Sequence, residues 1–180
     1  SLDLVGVNTA GSADLDSTDG VSDAGAASVT VTGLLDVSGT SVVLGSGTFN
    51  AGTLTFNSAG SVTISEDSSL DLVGVNTAGS ADLDSTAAVS DTGATSVDIT
   101  GLLDVSGTEI TLGSGTFNAG TTTFNSAGSV TISEDSSLDL VGINTADSAN
   151  LDSIAAVSDS AATSVTVTGL LDVSGTEITL

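Results

Sequence analysis

Residues 28–45 read SVTVTGLLDVSGTSVVLG: three pieces of six residues, each closed by a glycine, in which Val and Leu alternate with Ser, Thr and Asp. A side-chain period of two places alternate residues on opposite faces of a strand, and glycine ends each piece where the chain must turn. The texture continues through TLTFNSAG (53–60), SVTISED (61–67) and SLDLVG (69–74). Nowhere do apolar residues recur at helical spacing over three turns, so the chain reads as all-β.

The pieces belong to a tandem repeat. SLDLVGVNTAGSADLDST opens at Ser1, reopens at Ser69 and returns at Ser137 as SLDLVGINTADSANLDSI. Copies 1–68 and 69–136 differ at ten positions, and 137–180 is a partial third copy. A long, clean period marks units that bury their apolar faces on one another rather than alone. We therefore expect one continuous β-solenoid segment over 1–180, an interior excerpt of a longer array. Nine strand-like pieces per repeat suggest about three triangular coils of about 20 to 27 residues, at 28–47, 48–68 and 69–95, with about eight coils in total. AAVSDTGAT (87–95) reads as a surface excursion that lengthens the third coil.

The corner motif N-[ST]-A-G occurs in FNSAGSVTIS at Phe56 and in VNTAGSADLD at Val75, 19 residues apart, about one solenoid turn. This spacing predicts Asn57 directly beneath Asn76 in an amide ladder. Tandem immunoglobulin-like sandwiches fit poorly, since they need about 100 residues per domain and usually a bulky aromatic core.

The copies also report on inside and outside. Val31 becomes Ile99 and Val42 becomes Ile110, while Thr30 becomes Asp98, Ser41 becomes Glu109 and Val43 becomes Thr111. A carboxylate cannot enter a dry core unpaired without a cost of several kcal/mol, so the second set faces water. The expected core is Val29, Val31, Leu35, Val37, Val42, Leu44, Phe49, Phe56, Val62, Ile64, Leu70, Leu72, Leu83 and their copies 68 residues on. Leu54 becoming Thr122 does not fit this scheme. Gly79 becoming Asp147 suits a left-handed corner, which Asp tolerates better than most residues.

Composition restricts the chemistry. Lys, Arg, His, Cys, Met, Pro, Trp and Tyr are all absent, and the formal net charge is −23. Ser and Thr are abundant, but no His, Lys or Cys is present to activate a hydroxyl nucleophile. The pairs Asp14/Asp16 and Asp82/Asp84 could serve a glycosidase, yet copy three carries Asn150 in place of Asp82. The expectation is that the chain is not an enzyme. Without Cys there is no disulfide framework or thiolate metal site. No apolar run approaches the length of a membrane span, and no signal peptide with a basic region is seen.

Calcium is the stronger ligand reading. DLDSTDG (14–20) approaches an EF-hand opening with its spacing one residue off, and copy two replaces Asp19-Gly20 with Ala87-Ala88. SEDSSLD (65–71) gathers Glu66, Asp67 and Asp71, and recurs as Glu134, Asp135 and Asp139. These six are the candidate metal residues, for divalent cations such as calcium held diffusely between neighbouring rods. Thr121/Thr123 and Thr30/Thr32 hint at the threonine arrays of ice-binding solenoids, but Asp98 interrupts the second pair in the next copy.

Eight coils about 4.8 Å apart make a rod about 38 Å long. Its 23 carboxylates then approach the axial charge density of duplex DNA. Such a polyanion repels nucleic acid and anionic lipid. Its expected partners are cations and further copies of itself, stacked end to end or bridged laterally by cations, with no membrane insertion.

The stretch 21–86, VSDAGAASVTVTGLLDVSGTSVVLGSGTFNAGTLTFNSAGSVTISEDSSLDLVGVNTAGSADLDST, resembles the long repeats of giant bacterial surface proteins of the filamentous-haemagglutinin-like type. The likeness lies in G-x-[VIL]-x-[VIL] strands, N-x-A-G corners and the lack of Cys, and it extends over the whole chain. It implies a right-handed parallel β-helix, secreted or at the cell surface, serving as an extracellular fibre, stalk or matrix. The alternative it leaves open is an adhesin whose repeats contact glycans or calcium. It carries no functional residues over to this chain.

Overall fold

The computed structural model describes residues 1–23, 25, 27–93, 95–160 and 163–180. Among them there is no helix. The chain runs through 23 strands in a single sheet system in which every pairing is parallel. This is the β-solenoid expected from the period-two pattern and the 68-residue repeat.

The strands of one repeat are Ser28–Gly39, Ser41–Leu44, Thr48–Ser58, Ser61–Glu66, Leu70–Leu72, Val75–Ala78, Ser80–Ser85 and Ala88–Asp91. Two are long and bend once, the first between Val31 and Leu34 where its register slips. The second bends at Gly52, where a Cβ would lie 2.4 Å from the Thr32 carbonyl oxygen of the turn beneath. Glycine lets the backbones of adjacent turns touch at that corner. Each bent strand covers two sides of a three-sided coil, so one repeat supplies ten sides. Sides stack on the side three further along the chain, as in Val29 on Phe49, Val62 on Ala81 and Val89 on Ile110. The exception is 48–51 and its copy 116–119, whose far edge meets no strand among the described residues because Leu70–Leu72 pairs with Leu54 instead.

Ten sides are not a multiple of three, and a repeat therefore completes three and a third turns. The whole chain makes about 9 turns, where the sequence suggests about three per repeat and about eight in all. Equivalent residues consequently fall on different sides of the rod. Val29 lies in the column of Asn8 and Phe49. Its copy Val97 joins the column of Val37, Phe56 and Asn76, and Val165 joins that of Leu44, Ile64, Leu83 and Val105. The repeat climbs like a screw, rotating by a third of a turn per copy. The expected 27-residue coil at 69–95 does not form, because Val75 already pairs with Ser96. Nor is 87–95 a surface excursion throughout: Ala88–Asp91 is a ladder strand with Val89 fully buried. Ala94, within that stretch, lies outside the described residues.

Every residue of the predicted core is buried, including all copies 68 residues on. Four phenylalanines, Phe49, Phe56, Phe117 and Phe124, are its largest side chains and are fully buried. The alternation missed Leu54, Val21, Val89 and small inward residues such as Ala51 and Ala81. Burying each Val or Leu side chain contributes about 1.5–3 kcal/mol, and the parallel ladders satisfy the backbone that burial would otherwise strand.

The asparagine ladder does not form. Asn57 faces outward and pairs with Thr77, whose hydroxyl donates to Asn57 Oδ1 at 2.9 Å. Asn76, one residue earlier, points inward and is fully buried. The 19-residue spacing holds at the glycines, where Gly79 N–H donates to the Gly60 carbonyl at 2.7 Å. At the asparagines the register is 20, and a one-residue slip turns a side chain to the opposite face. Gly79 also lacks a left-handed backbone, so Asp147 in its place needs no special tolerance. The Asp147 carboxylate instead accepts the Thr168 hydroxyl at 2.8 Å.

Candidate functional site

The outward faces carry ladders that pair acids with hydroxyls. A carboxylate on one turn accepts a serine hydroxyl from the next, as in Ser22 to Asp3 at 3.1 Å, Ser90 to Asp71 at 3.1 Å and Ser158 to Asp139 at 3.3 Å. Ser38 with Asp16, Ser106 with Asp84 and Ser174 with Asp152 repeat the arrangement at a second position in all three copies. Hydrogen bonds to ionised groups are the stronger kind. These ladders offset part of the repulsion among carboxylates that have no Lys or Arg to pair with.

Repulsion survives where acids stack on acids. Asp14 lies opposite Asp36, and Asp82 opposite Asp104. Burial first, then the neighbouring Asp14 and Asp16, raises the Asp36 carboxyl above the usual aspartate range. Asp82 is raised by burial and then by Asp84 and Asp104, and Asp104 by burial and then by Asp84. The pairs Asp14/Asp16 and Asp82/Asp84 considered for glycoside hydrolysis thus share one outward strand face, with a third aspartate from the next turn. In copy three Asn150 faces Asp172 and removes one charge from this stack.

The six candidate metal residues divide by role. Asp71 and Asp139 stand in the hydroxyl ladders. Asp67 accepts the Phe49 amide at 3.0 Å, and Asp135 the Phe117 amide at 3.0 Å. Glu66 and Glu134 point inward and are 1% exposed. Glu66 accepts the Ala51 amide at 3.1 Å and the Ser68 hydroxyl at 2.8 Å; Glu134 accepts the Ala119 amide at 2.9 Å and the Ser136 hydroxyl at 2.8 Å. Among the described residues, no three acidic side chains converge on a point where an ion could sit.

The reason lies in the ladder. The side formed by 48–51 has a regular partner on one edge, Ser28 to Val31, but on its other edge the chain passes through 66–69 before the next strand begins. There the carboxylates of Glu66 and Asp67 accept the amides that a neighbouring strand would have taken. Asp67 N–H returns a bond to the Phe49 carbonyl at 2.9 Å. Burial pushes the Glu66 and Glu134 carboxyls up to about 7, against the lowering effect of their hydrogen bonds.

A further pair escaped the sequence reading. Asp23 and Asp91 are buried, and each carboxylate accepts two successive amides one turn on: Gly45 and Ser46 at 3.0 and 3.1 Å, Gly113 and Ser114 at 3.0 and 3.1 Å. Gly45 and Gly113 have φ of 109° and 104°, the left-handed side of the map that glycine enters without cost. The recurring SD in VSD, followed one coil later by LGSG, was the available signal.

No family model, curated protein or solved structure matches this chain. What it can do therefore has to be argued from its own geometry.

Proposed function

We propose that this chain is a segment of an extracellular or cell-surface fibre or stalk, whose work is to extend and, through cations, to associate laterally. One observation supports this reading above the others: the repeat rotates by a third of a turn per copy, so each surface feature recurs on a different side of the rod in each copy. That suits a uniform spacer better than a single specialised cleft. The resemblance to filamentous-haemagglutinin-like repeats points the same way, as does the residue inventory. Hydroxyls without a basic activator and paired aspartates that lie on an open strand face favour a non-enzymatic role.

The alternative is an adhesin whose repeats bind calcium or glycans. Melting curves with added calcium and magnesium separate the two. The fibre reading expects a shallow rise, matched by magnesium, from screening of the 23 carboxylates. A saturable rise at micromolar calcium, absent with magnesium, favours specific sites. For native material, fibre diffraction or electron microscopy should give an axial spacing of about 16 Å, which is three and a third turns at about 4.8 Å. Globular particles without axial periodicity would contradict the fibre.

A further inference from the structure

Two buried glutamates stand out in a rod whose other inward side chains are almost all apolar. Each repeat places one, Glu66 and Glu134, at a seam where the edge of 48–51 or 116–119 lacks a neighbouring strand. Glu134 Oε1 takes both available donors, the Ala119 amide and the Ser136 hydroxyl, whereas Oε2 is buried with no partner. In Glu66 the Ala51 amide is shared, at 3.1 Å to Oε1 and 3.2 Å to Oε2, so one backbone donor serves both oxygens. A carboxylate oxygen in that position has neither water nor a donor to compensate its charge, which is the costliest state for a buried polar atom. A neutral carboxylic acid meets the same backbone amide through its carbonyl and removes the charge.

We propose that Glu66 and Glu134 are protonation latches: neutral, each closes the seam beside 48–51 or 116–119, and ionised, each loosens it. The latch makes the rod a pH-responsive element, independently of whether it serves as fibre or adhesin.

Two further observations bear on the mechanism. First, the groups facing the latch do not supply a counter-charge. Asp67 beside Glu66 and Asp135 beside Glu134 are themselves acidic and oppose ionisation. The strand on one flank presents the Phe49 and Ala51 backbone; on the other, Ser85 pairs with Glu66, and the nearby Asp84 is exposed. Second, burial pushes the carboxyls of both glutamates up to about 7, above the ~4.3 of an unfolded glutamate. A folded-state value above the unfolded one means that the folded rod binds the proton more tightly. The stabilisation is therefore full below about 4.3 and disappears as pH rises through about 7. Acid closes the seam and alkali opens it.

The test is a carbon-13 NMR titration of the four glutamate carboxyls of the intact chain, Glu66, Glu109, Glu134 and Glu177. Two of the four, Glu66 and Glu134, should titrate near neutrality. Glu66→Gln and Glu134→Gln assign the shifted pair, each removing one of its signals. All four titrating in the ordinary range would overturn the proposal, whether or not the variants fold. Hydrogen exchange on the unmodified protein reads the seam itself. Between pH 6 and 8 the Ala51 and Ala119 amides should lose at least tenfold in protection relative to the Val37 amide, after correction for intrinsic exchange. An unchanged ratio would equally overturn it.

Discussion

Asn76 accepts the backbone amide of Phe56 on Oδ1 at 3.0 Å while its Nδ2 donates to the Val73 carbonyl at 3.0 Å, and the side chain is completely buried. Asn144 repeats the arrangement with Phe124 and Val141. The amide sits inside the core because 73–74 forms the break between the strands Leu70–Leu72 and Val75–Ala78, and the side chain there takes up the Phe56 amide and the Val73 carbonyl.

Asn76→Ala should therefore destabilise the rod by about 1–3 kcal/mol, the cost of leaving a buried amide without its acceptor. Asn57→Ala, on the outward face beside Thr77, should cost less than about 0.5 kcal/mol. Urea midpoints of the two variants make the comparison, and equal losses would contradict the inward and outward assignment.

Thr122 stands where copy one has Leu54, is 1% exposed, and leaves Oγ1 without a partner. Copy two thus contains a buried polar atom that copy one does not. Thr122→Leu should raise stability by about 1–3 kcal/mol, with Leu54→Thr lowering it by a similar amount. Thermal midpoints moving in the opposite order would refute the inward orientation of this position.

Gly113 has its backbone on the left-handed side, and a Cβ there would lie 2.3 Å from the Ser133 carbonyl oxygen of the adjoining turn. Gly113→Ala combines dihedral strain with a backbone clash, and should cost at least about 2 kcal/mol. Denaturant melts monitored by circular dichroism would show it as a lowered midpoint with little change of slope.

Asp36, Asp82 and Asp104 have carboxyls raised first by burial and then by neighbouring aspartates, Asp14 and Asp16 for Asp36, Asp84 and Asp104 for Asp82, and Asp84 for Asp104. Folding therefore favours their protonated forms, and their contribution to stability is present below the unfolded value and fades as pH rises through the folded one. Asp82→Asn, the replacement copy three already carries as Asn150, should stabilise the rod at pH 7. The gain should stay below about 1 kcal/mol because the groups are largely solvated. It should shrink in 1 M salt, where the screening length falls to about 3 Å. A gain unaffected by salt would mean that repulsion from Asp84 and Asp104 is not its cause.

Strand period, repeat and core were all legible, because apolar alternation is written into every piece and the copies confirm it. Val31 to Ile99 and Thr30 to Asp98 separate inside from outside without any structure. The number of turns was not legible, since turns vary in length: Val62 reaches Ala81 over 19 residues and Ala81 reaches Leu103 over 22. Only pairing decides where such unequal turns close. The same uncertainty moved Asn57 off Asn76. Glu66 read as one member of an acidic cluster with Asp67 and Asp71; nothing local reveals that its carboxylate substitutes for a missing strand. Asp23 was hidden for a similar reason, as its partners lie a full turn away.

The 68-residue repeat makes three and a third turns, so that the second copy is set a third of a turn around from the first. Thr77 and Asp98 then lie opposite each other on neighbouring turns, while Asp71 faces Ser90 on another side. In three-turn stacking, with a coil at 69–95, Asp98 would instead lie over Asp71. The chain has no native cysteine, so two double variants decide between them under mild oxidation, read by mass spectrometry without reductant. The structure predicts that Thr77→Cys with Asp98→Cys forms a disulfide in the folded protein, and that Asp71→Cys with Asp98→Cys does not. Cross-linking of the second pair and not the first would contradict it.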